Sequence, residues 1–177
     1  MTKTIHVGKV PVGGGAPVSV QSMTTKKTSD VAGVLAQIGA LADAGCDIVR
    51  LAVQSEEDAR AIRAVKDGSP LPVVADIHFS AKLAVLAVEN GADKVRVNPG
   101  NIGGEREIAM VADCVKAHGV PVRVGANTGS IEKTVLEKHG REELSLGGRG
   151  ADTGSLPGKS GRRGVGGLVQ GSRGKRE

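Results

Sequence analysis

Seven polar residues stand where short apolar runs end, and their types suit the gripping of an anion. Arg50 follows Ile48-Val49, Asp76 and His78 follow Val73-Val74, Arg96 and Asn98 flank Val97, and Arg123 and Asn127 flank Val124-Gly125. Side chains alternate between the two faces of a strand, so Asp76 shares a face with His78, and Arg96 with Asn98. Arg123 shares one with Gly125 and, if the strand runs on, with Asn127. Three arginines converging on one place repel each other unless an anion or an acid lies between them. A phosphate or diphosphate meets that need well, because a guanidinium grips its oxygens in bidentate fashion. The segment Asn98-Pro99-Gly100-Asn101-Ile102-Gly103-Gly104, leading into a helix at Glu105, could add backbone N–H donors aimed at the same anion. The set points to a phosphorylated small molecule and assigns no catalytic residue. A structural alternative stays open at each position. Each arginine could pair instead with an acid such as Asp47 or Asp93, His78 could be a packed histidine, and glycines serve turns for backbone reasons alone. Gly13-Gly14-Gly15 lacks the following Lys-Ser/Thr of a P-loop.

Such residues act together only if a scaffold lines them up. The apolar runs are Val18 to Met23, Ile48 to Val53, Pro72 to Ile77, Lys94 to Val97 and Val120 to Val124. They are Val-rich and almost unbroken, as strands buried on both faces of a parallel sheet must be. Amphipathic stretches follow them: Asp30 to Ala44, Ser55 to Lys66, Ser80 to Asn90, Glu105 to His118 and Ser130 to His139. In the first, Val31, Val34, Leu35, Ile38 and Leu41 recur at helical steps, and Ser29 or Asp30 can cap its start. Gly45 and Gly91 fall just past helices, where a left-handed residue is commonly needed. A short alternating segment, Thr4 to Val12, reads as a lead-in hairpin or extended arm.

The units also repeat. Gly45-Cys46-Asp47-Ile48-Val49-Arg50-Leu51 matches Gly91-Ala92-Asp93-Lys94-Val95-Arg96-Val97, and Gly119-Val120-Pro121-Val122-Arg123-Val124 is a looser third copy. One repeated βα unit, with no Gly-x-Gly-x-x-Gly turn after the first strand, favours a barrel over a doubly wound sheet. The expected fold is α/β: a partial TIM (β/α)8 barrel of five βα units with a disordered C-terminal tail. In a parallel barrel ligands lie at the carboxyl ends of the strands, where the seven residues fall.

Composition excludes several functions. Phe79 is the sole aromatic residue, which removes base stacking on Trp or Tyr as a route to nucleic-acid binding. Cys46 and Cys114 stand alone, with no CxxC spacing, and read as reduced thiols. No metal site is expected. No apolar run approaches a membrane span and no signal-peptide core opens the chain, so a cytoplasmic address is expected. Residues 1–140 hold 16 Lys/Arg against 15 Asp/Glu, whereas residues 141–177 hold 8 against 4. The basic excess of +5 therefore belongs almost wholly to the tail, and the body offers no broad polyanion surface.

From Arg141 the pattern of runs and helices stops. The last 37 residues contain 11 Gly and 8 Lys/Arg with no period, a composition unable to offset chain entropy. The domain division expected is 1–16 lead-in, 17–140 incomplete barrel, and 141–177 disordered Gly/Arg-rich tail. Reading out of frame in GC-rich coding DNA would yield such a tail; a natural flexible tail is the alternative.

Five strings carry a resemblance: VSVQSMTTKKTSD (Val18 to Asp30), AGCDIVRLAV (Ala44 to Val53), PVVADIHF (Pro72 to Phe79), KVRVNPGNIG (Lys94 to Gly103) and PVRVGANTGS (Pro121 to Ser130). In this order they resemble the first five barrel strands of the 4-hydroxy-3-methylbut-2-enyl diphosphate synthase family, over about residues 4 to 140. The resemblance implies an oxidoreductase of non-mevalonate isoprenoid biosynthesis. Such an enzyme reductively opens 2-C-methyl-D-erythritol 2,4-cyclodiphosphate with two electrons from ferredoxin or flavodoxin, and its full-length form is a homodimer. It implies diphosphate contacts at Arg50, His78, Arg96, Asn98, Arg123 and Asn127, with Asp76 as an addition. Family members continue through three more βα units, which carry an acidic residue and a lysine near the substrate. A further domain holds a 4Fe-4S cluster on three cysteines and a glutamate, and Cys46 and Cys114 match none of these ligands. The chain is thus expected to be the diphosphate-binding part only, truncated or frameshifted after about residue 140. With two open sheet edges it is expected to be unstable or oligomeric and to lack turnover. Two other readings stay open: a phosphate-binding barrel of the pterin-binding synthase type, and RNA binding through the basic tail.

Overall fold

The computed structural model describes residues 2–125. The expected helix at Ser130 to His139, the site candidate Asn127 and the tail 141–177 lie outside them.

A hairpin comes first: β1 (Ile5–Val7) pairs antiparallel with β2 (Val10–Val12). Five parallel strands follow, β3 (Gln21–Met23), β4 (Ile48–Val53), β5 (Val73–Ile77), β6 (Lys94–Val97) and β7 (Val122–Val124), hydrogen-bonded side by side in chain order. Between them run α1 (Val31–Asp43), α2 (Glu56–Gly68), α3 (Ala81–Glu89), a single turn α4 (Pro99–Ile102) and α5 (Glu105–Ala117). Strand order that never reverses, with each crossover helical, is the winding of a (β/α) barrel rather than of a doubly wound sheet.

The sequence sets each helix boundary. Asp30, Ser55 and Ser80 accept hydrogen bonds from the backbone N–H groups of Gly33, Asp58 and Leu83, capping α1, α2 and α3. Gly45 and Gly91, at φ +84° and +90°, stop α1 and α3 in the left-handed conformation that glycine adopts at least cost. The repeated aspartate then secures the next turn. Asp47 accepts from the Val20 N–H at 2.7 Å, and Asp93 accepts from the Val73 N–H at 2.8 Å while holding the Lys66 ammonium. Each acid thereby pins the start of the neighbouring strand. The acid that Arg50 and Arg96 meet is instead Asp76.

Strand alternation sorts the sheet into two faces. Val49, Leu51, Val53, Val73, Ala75, Ile77, Val95 and Val97 form one core with Val34 and Ile38 of α1, Ile62 and Val65 of α2, Ala84 and Val88 of α3, and Val111 and Val115 of α5. All the helices therefore cover one face. Burying each Val, Leu or Ile side chain among them contributes about 1.5–3 kcal/mol. The other face carries Ile48 and Val74 at its amino end, where Val7, Val10 and Val12 of the hairpin pack on them. Above that apolar floor the same face presents Arg50, Asp76, Arg96 and Arg123.

One buried acid ties the upper loops together. Asp58, 1% exposed, accepts from the backbone N–H groups of Ser29 at 3.0 Å and Gln54 at 3.2 Å. Burial alone would raise its pKa, but those donors and Ser55 outweigh it and the value is lowered. A depressed folded-state pKa means stability that is present above the unfolded value near ~4 and is lost as pH falls through the folded one. Asp58→Asn is expected to cost about 2–3 kcal/mol at neutral pH, with the gap to wild type closing as urea melts are repeated at progressively lower pH.

Candidate functional site

The centre of the inner face is the Asp76 carboxylate, on the middle strand of the five and 2% exposed. Arg96 on β6 lies directly across from it in register and donates from Nη1 to Oδ1 at 3.0 Å. Arg50 on β4 brings Nε to within 3.5 Å of Oδ2, and His78 brings Nε2 to within 3.4 Å of the same oxygen. Arg50 also donates to the Met23 sulfur on β3, from Nη2 at 3.2 Å. The guanidinium is therefore held between Met23 of β3 and Asp76 of β5.

Arg123 joins them from β7, in register with Arg96. Burial, then the charges of Arg50 and Arg96, lower its affinity for its proton, against the pull of Asp76. The three guanidiniums therefore crowd one end of one face, as the alternation of side chains anticipates, and the carboxylate they surround is Asp76. The arrangement follows from the repeat. Arg50 and Arg96 occupy equivalent positions in two copies, and β5 lies between those copies.

Asn98 is buried, 2% exposed, and its Oδ1 accepts from the Gly100 N–H at 3.2 Å. That bond makes it the cap of α4. The segment expected as a loop of anion-facing N–H groups is thus a helical turn, because proline at its first position presets the helical φ. Gly104 then caps α5, and its N–H donates to the Glu107 carboxylate at 3.0 Å. His78 is half exposed, and its ring centroid lies 5.8 Å from that of the exposed Phe79.

Two participants escaped the sequence reading. Lys94, 8% exposed, stands on the inner face in register with Val74, below the arginines. Burial first, and then the charge of Arg123, lower its pKa. The two-residue step that joins Arg96 to Asn98 also reaches back to Lys94, so the signal was present. Met23 had none, since its role depends on which strand pairs with β4.

Among the described residues no group of three or more His, Cys, Asp and Glu could hold a metal ion. The Cys46 thiol is buried and donates to the Ile48 carbonyl at 3.1 Å, and Cys114 lies apart on α5. These residues do not fit a 4Fe-4S cluster. No helix among them is long and apolar enough to cross a membrane.

A parallel sheet in unreversed strand order with helices on one face, and on the other an apolar plug at its amino end with charged side chains above it, defines a (β/α)-barrel domain. The sequence matches the GcpE TIM-barrel domain over residues 2–147, and the chain belongs to that family. It is 56% identical over 138 residues to a 4-hydroxy-3-methylbut-2-en-1-yl diphosphate synthase (flavodoxin) of Thermotoga maritima, covering 78% of this chain and 40% of that protein. It is 53% identical over 139 residues to the protein of that name from Desulfotalea psychrophila, covering 78% and 38%. The chain thus spans about 40% of the length of the curated relatives it matches. In fold alone it is similar to a phospho-2-dehydro-3-deoxyheptonate aldolase of Thermotoga maritima, at 14% identity and TM-score 0.60, over 95% of this chain and 45% of that one.

Proposed function

We propose that this chain is the diphosphate-gripping part of an enzyme that reductively opens 2-C-methyl-D-erythritol 2,4-cyclodiphosphate to 4-hydroxy-3-methylbut-2-enyl diphosphate. One observation supports it above the rest. Three guanidiniums gather around a single buried carboxylate on one face of the sheet, two of them paired with it and the third within reach of their charges. A diphosphate supplies negative charge to such a cluster, and two oxygens of one phosphate can accept from both arms of a guanidinium fork. In this reading Arg50, Arg96 and Arg123 take the phosphate oxygens, and His78, Asn98 and Asn127 complete the contacts. Asp76 keeps the arginines from dispersing when the substrate is away.

The same reading assigns residues 1–16 to a lead-in, 17–140 to the barrel part and 141–177 to a tail. It includes a cytoplasmic setting, a flavodoxin or ferredoxin electron donor, a homodimeric whole enzyme, and a 4Fe-4S cluster held by residues other than those described. The chain's own share is to bind and orient the cyclodiphosphate.

Calorimetric titration of the full chain tests this. Methylerythritol cyclodiphosphate is expected to bind, and to bind less tightly in Arg50→Ala, Arg96→Ala and Arg123→Ala. Binding of a pterin diphosphate in its place would move the chain to the pterin-binding synthase type. Binding of RNA alone, lost on deletion of residues 141–177, would overturn the barrel-mouth assignment.

A further inference from the structure

We propose that Lys94 is a further binding residue of the anion site, its ammonium taking an oxygen of the bound phosphate on the β7 side of the mouth, beside Arg123. The proposal rests on the anion-binding reading and adds a fourth cation to it.

Register fixes the place of Lys94. Arg50 of β4 and Lys94 of β6 both lie opposite Val74 of β5, one on each side, and Asp76 stands two residues further along on the same face. The two cations start alike about the carboxylate and end differently. Arg50 brings Nε to within 3.5 Å of Asp76. On the β6 side that carboxylate is already taken by Arg96, whose Nη1 lies 3.0 Å from Oδ1. Lys94, below Arg96 on the same strand, is left without it. Asp76 acts on the charge of Arg123, whereas burial and Arg123 act on Lys94 with no carboxylate opposing them.

Lys94 is buried all the same, at 8% exposure. An ammonium withdrawn from water without a counter-ion costs the fold stability, so an apolar side chain would serve packing better. The repeat offers one. Where the second copy has Lys94 the first has Ile48, which packs against the hairpin. The lysine thus rises from a floor of aliphatic side chains, yet its ammonium is not sealed in. Among the described residues the enclosed side-chain polar atom without a hydrogen bond is Thr24 Oγ1, so Nζ of Lys94, which has no hydrogen bond either, keeps a small opening. A phosphate oxygen reaching it would turn a cost of the empty site into a charge-assisted contact of the filled one.

Two measurements on the full chain test this. Inorganic pyrophosphate is titrated calorimetrically into wild type, into Lys94→Met, which keeps the aliphatic stem and removes the ammonium, and into Lys116→Met. Lys116, exposed in the last turn of α5, is the control for loss of a positive charge. Urea midpoints of all three are taken without ligand. Lys94→Met is expected to bind pyrophosphate more weakly by about tenfold or more, with a midpoint equal to or above that of wild type. Lys116→Met should bind as wild type does. Wild type is also acetylated with acetic anhydride, and the rate at Lys94, read by mass spectrometry, should fall when pyrophosphate is present while the rate at Lys116 holds. Wild-type affinity in Lys94→Met, or a loss that comes with a lowered midpoint, overturns the proposal and leaves the arginine site standing. An equal loss in Lys116→Met reduces the effect to net charge and overturns it too. Should Lys94→Met not fold, the acetylation of wild type decides: slowing at Lys94 supports the proposal and an unchanged rate refutes it. If wild type binds no pyrophosphate, the anion-binding reading itself fails and the proposal falls with it.

Discussion

Asp76→Ala is expected to lower the unfolding free energy by about 3–5 kcal/mol, because removing one partner of a buried ion pair leaves uncompensated charge behind. Here the charge left behind is large. Arg50 and Arg96 lose their shared carboxylate and are left beside the charge of Arg123. The same crowding predicts the remedy. Pyrophosphate replaces the lost negative charge, so it should raise the urea midpoint of Asp76→Ala by more than it raises that of wild type. Paired urea melts with and without millimolar pyrophosphate read both effects. A loss below about 1 kcal/mol would mean that water already screens the cluster, as at exposed pairs. An equal pyrophosphate effect in the two proteins would place the anion elsewhere.

The course of the chain was largely legible. Val-rich runs gave β4 and β6 their bounds to the residue, because the helix-covered face of each strand is apolar throughout, while Arg50, Lys94 and Arg96 fall on the alternate positions of the inner face. Edges were less legible. Val18 and Val20 read as part of the first strand, yet they lie exposed ahead of a β3 that begins at Gln21, since only the register with Ile48 decides where pairing starts. The site split along the same line. Alternation within one strand brought Arg96 and Asn98 to one face, but that Asp76 serves both Arg50 and Arg96 required knowing that β5 lies between β4 and β6. The turn at Pro99 shows the opposite failure. Gly100, Gly103 and Gly104 suggested an open loop, while the cap formed by Asn98 and the helical φ of proline made a helix.

Arg123→Met should separate stability from binding in the opposite sense. In the folded chain Arg123 holds its proton less tightly than a free arginine, through burial first and then through Arg50 and Arg96. A cation whose folded-state pKa is depressed costs the fold stability at every pH where it stays charged, and arginine stays charged throughout the accessible range. An apolar side chain of similar length removes that cost and keeps the packing of the aliphatic stem. The urea midpoint of the unliganded protein is therefore expected to rise. Pyrophosphate affinity should fall by about ten- to a hundredfold, the worth of one charge-assisted hydrogen-bonded contact. Both results together would mean that arginine at this position trades stability for ligand. A midpoint that falls while affinity is kept would show Arg123 to be a structural cation, and would leave Arg50 and Arg96 alone to account for the charge at the mouth of the barrel.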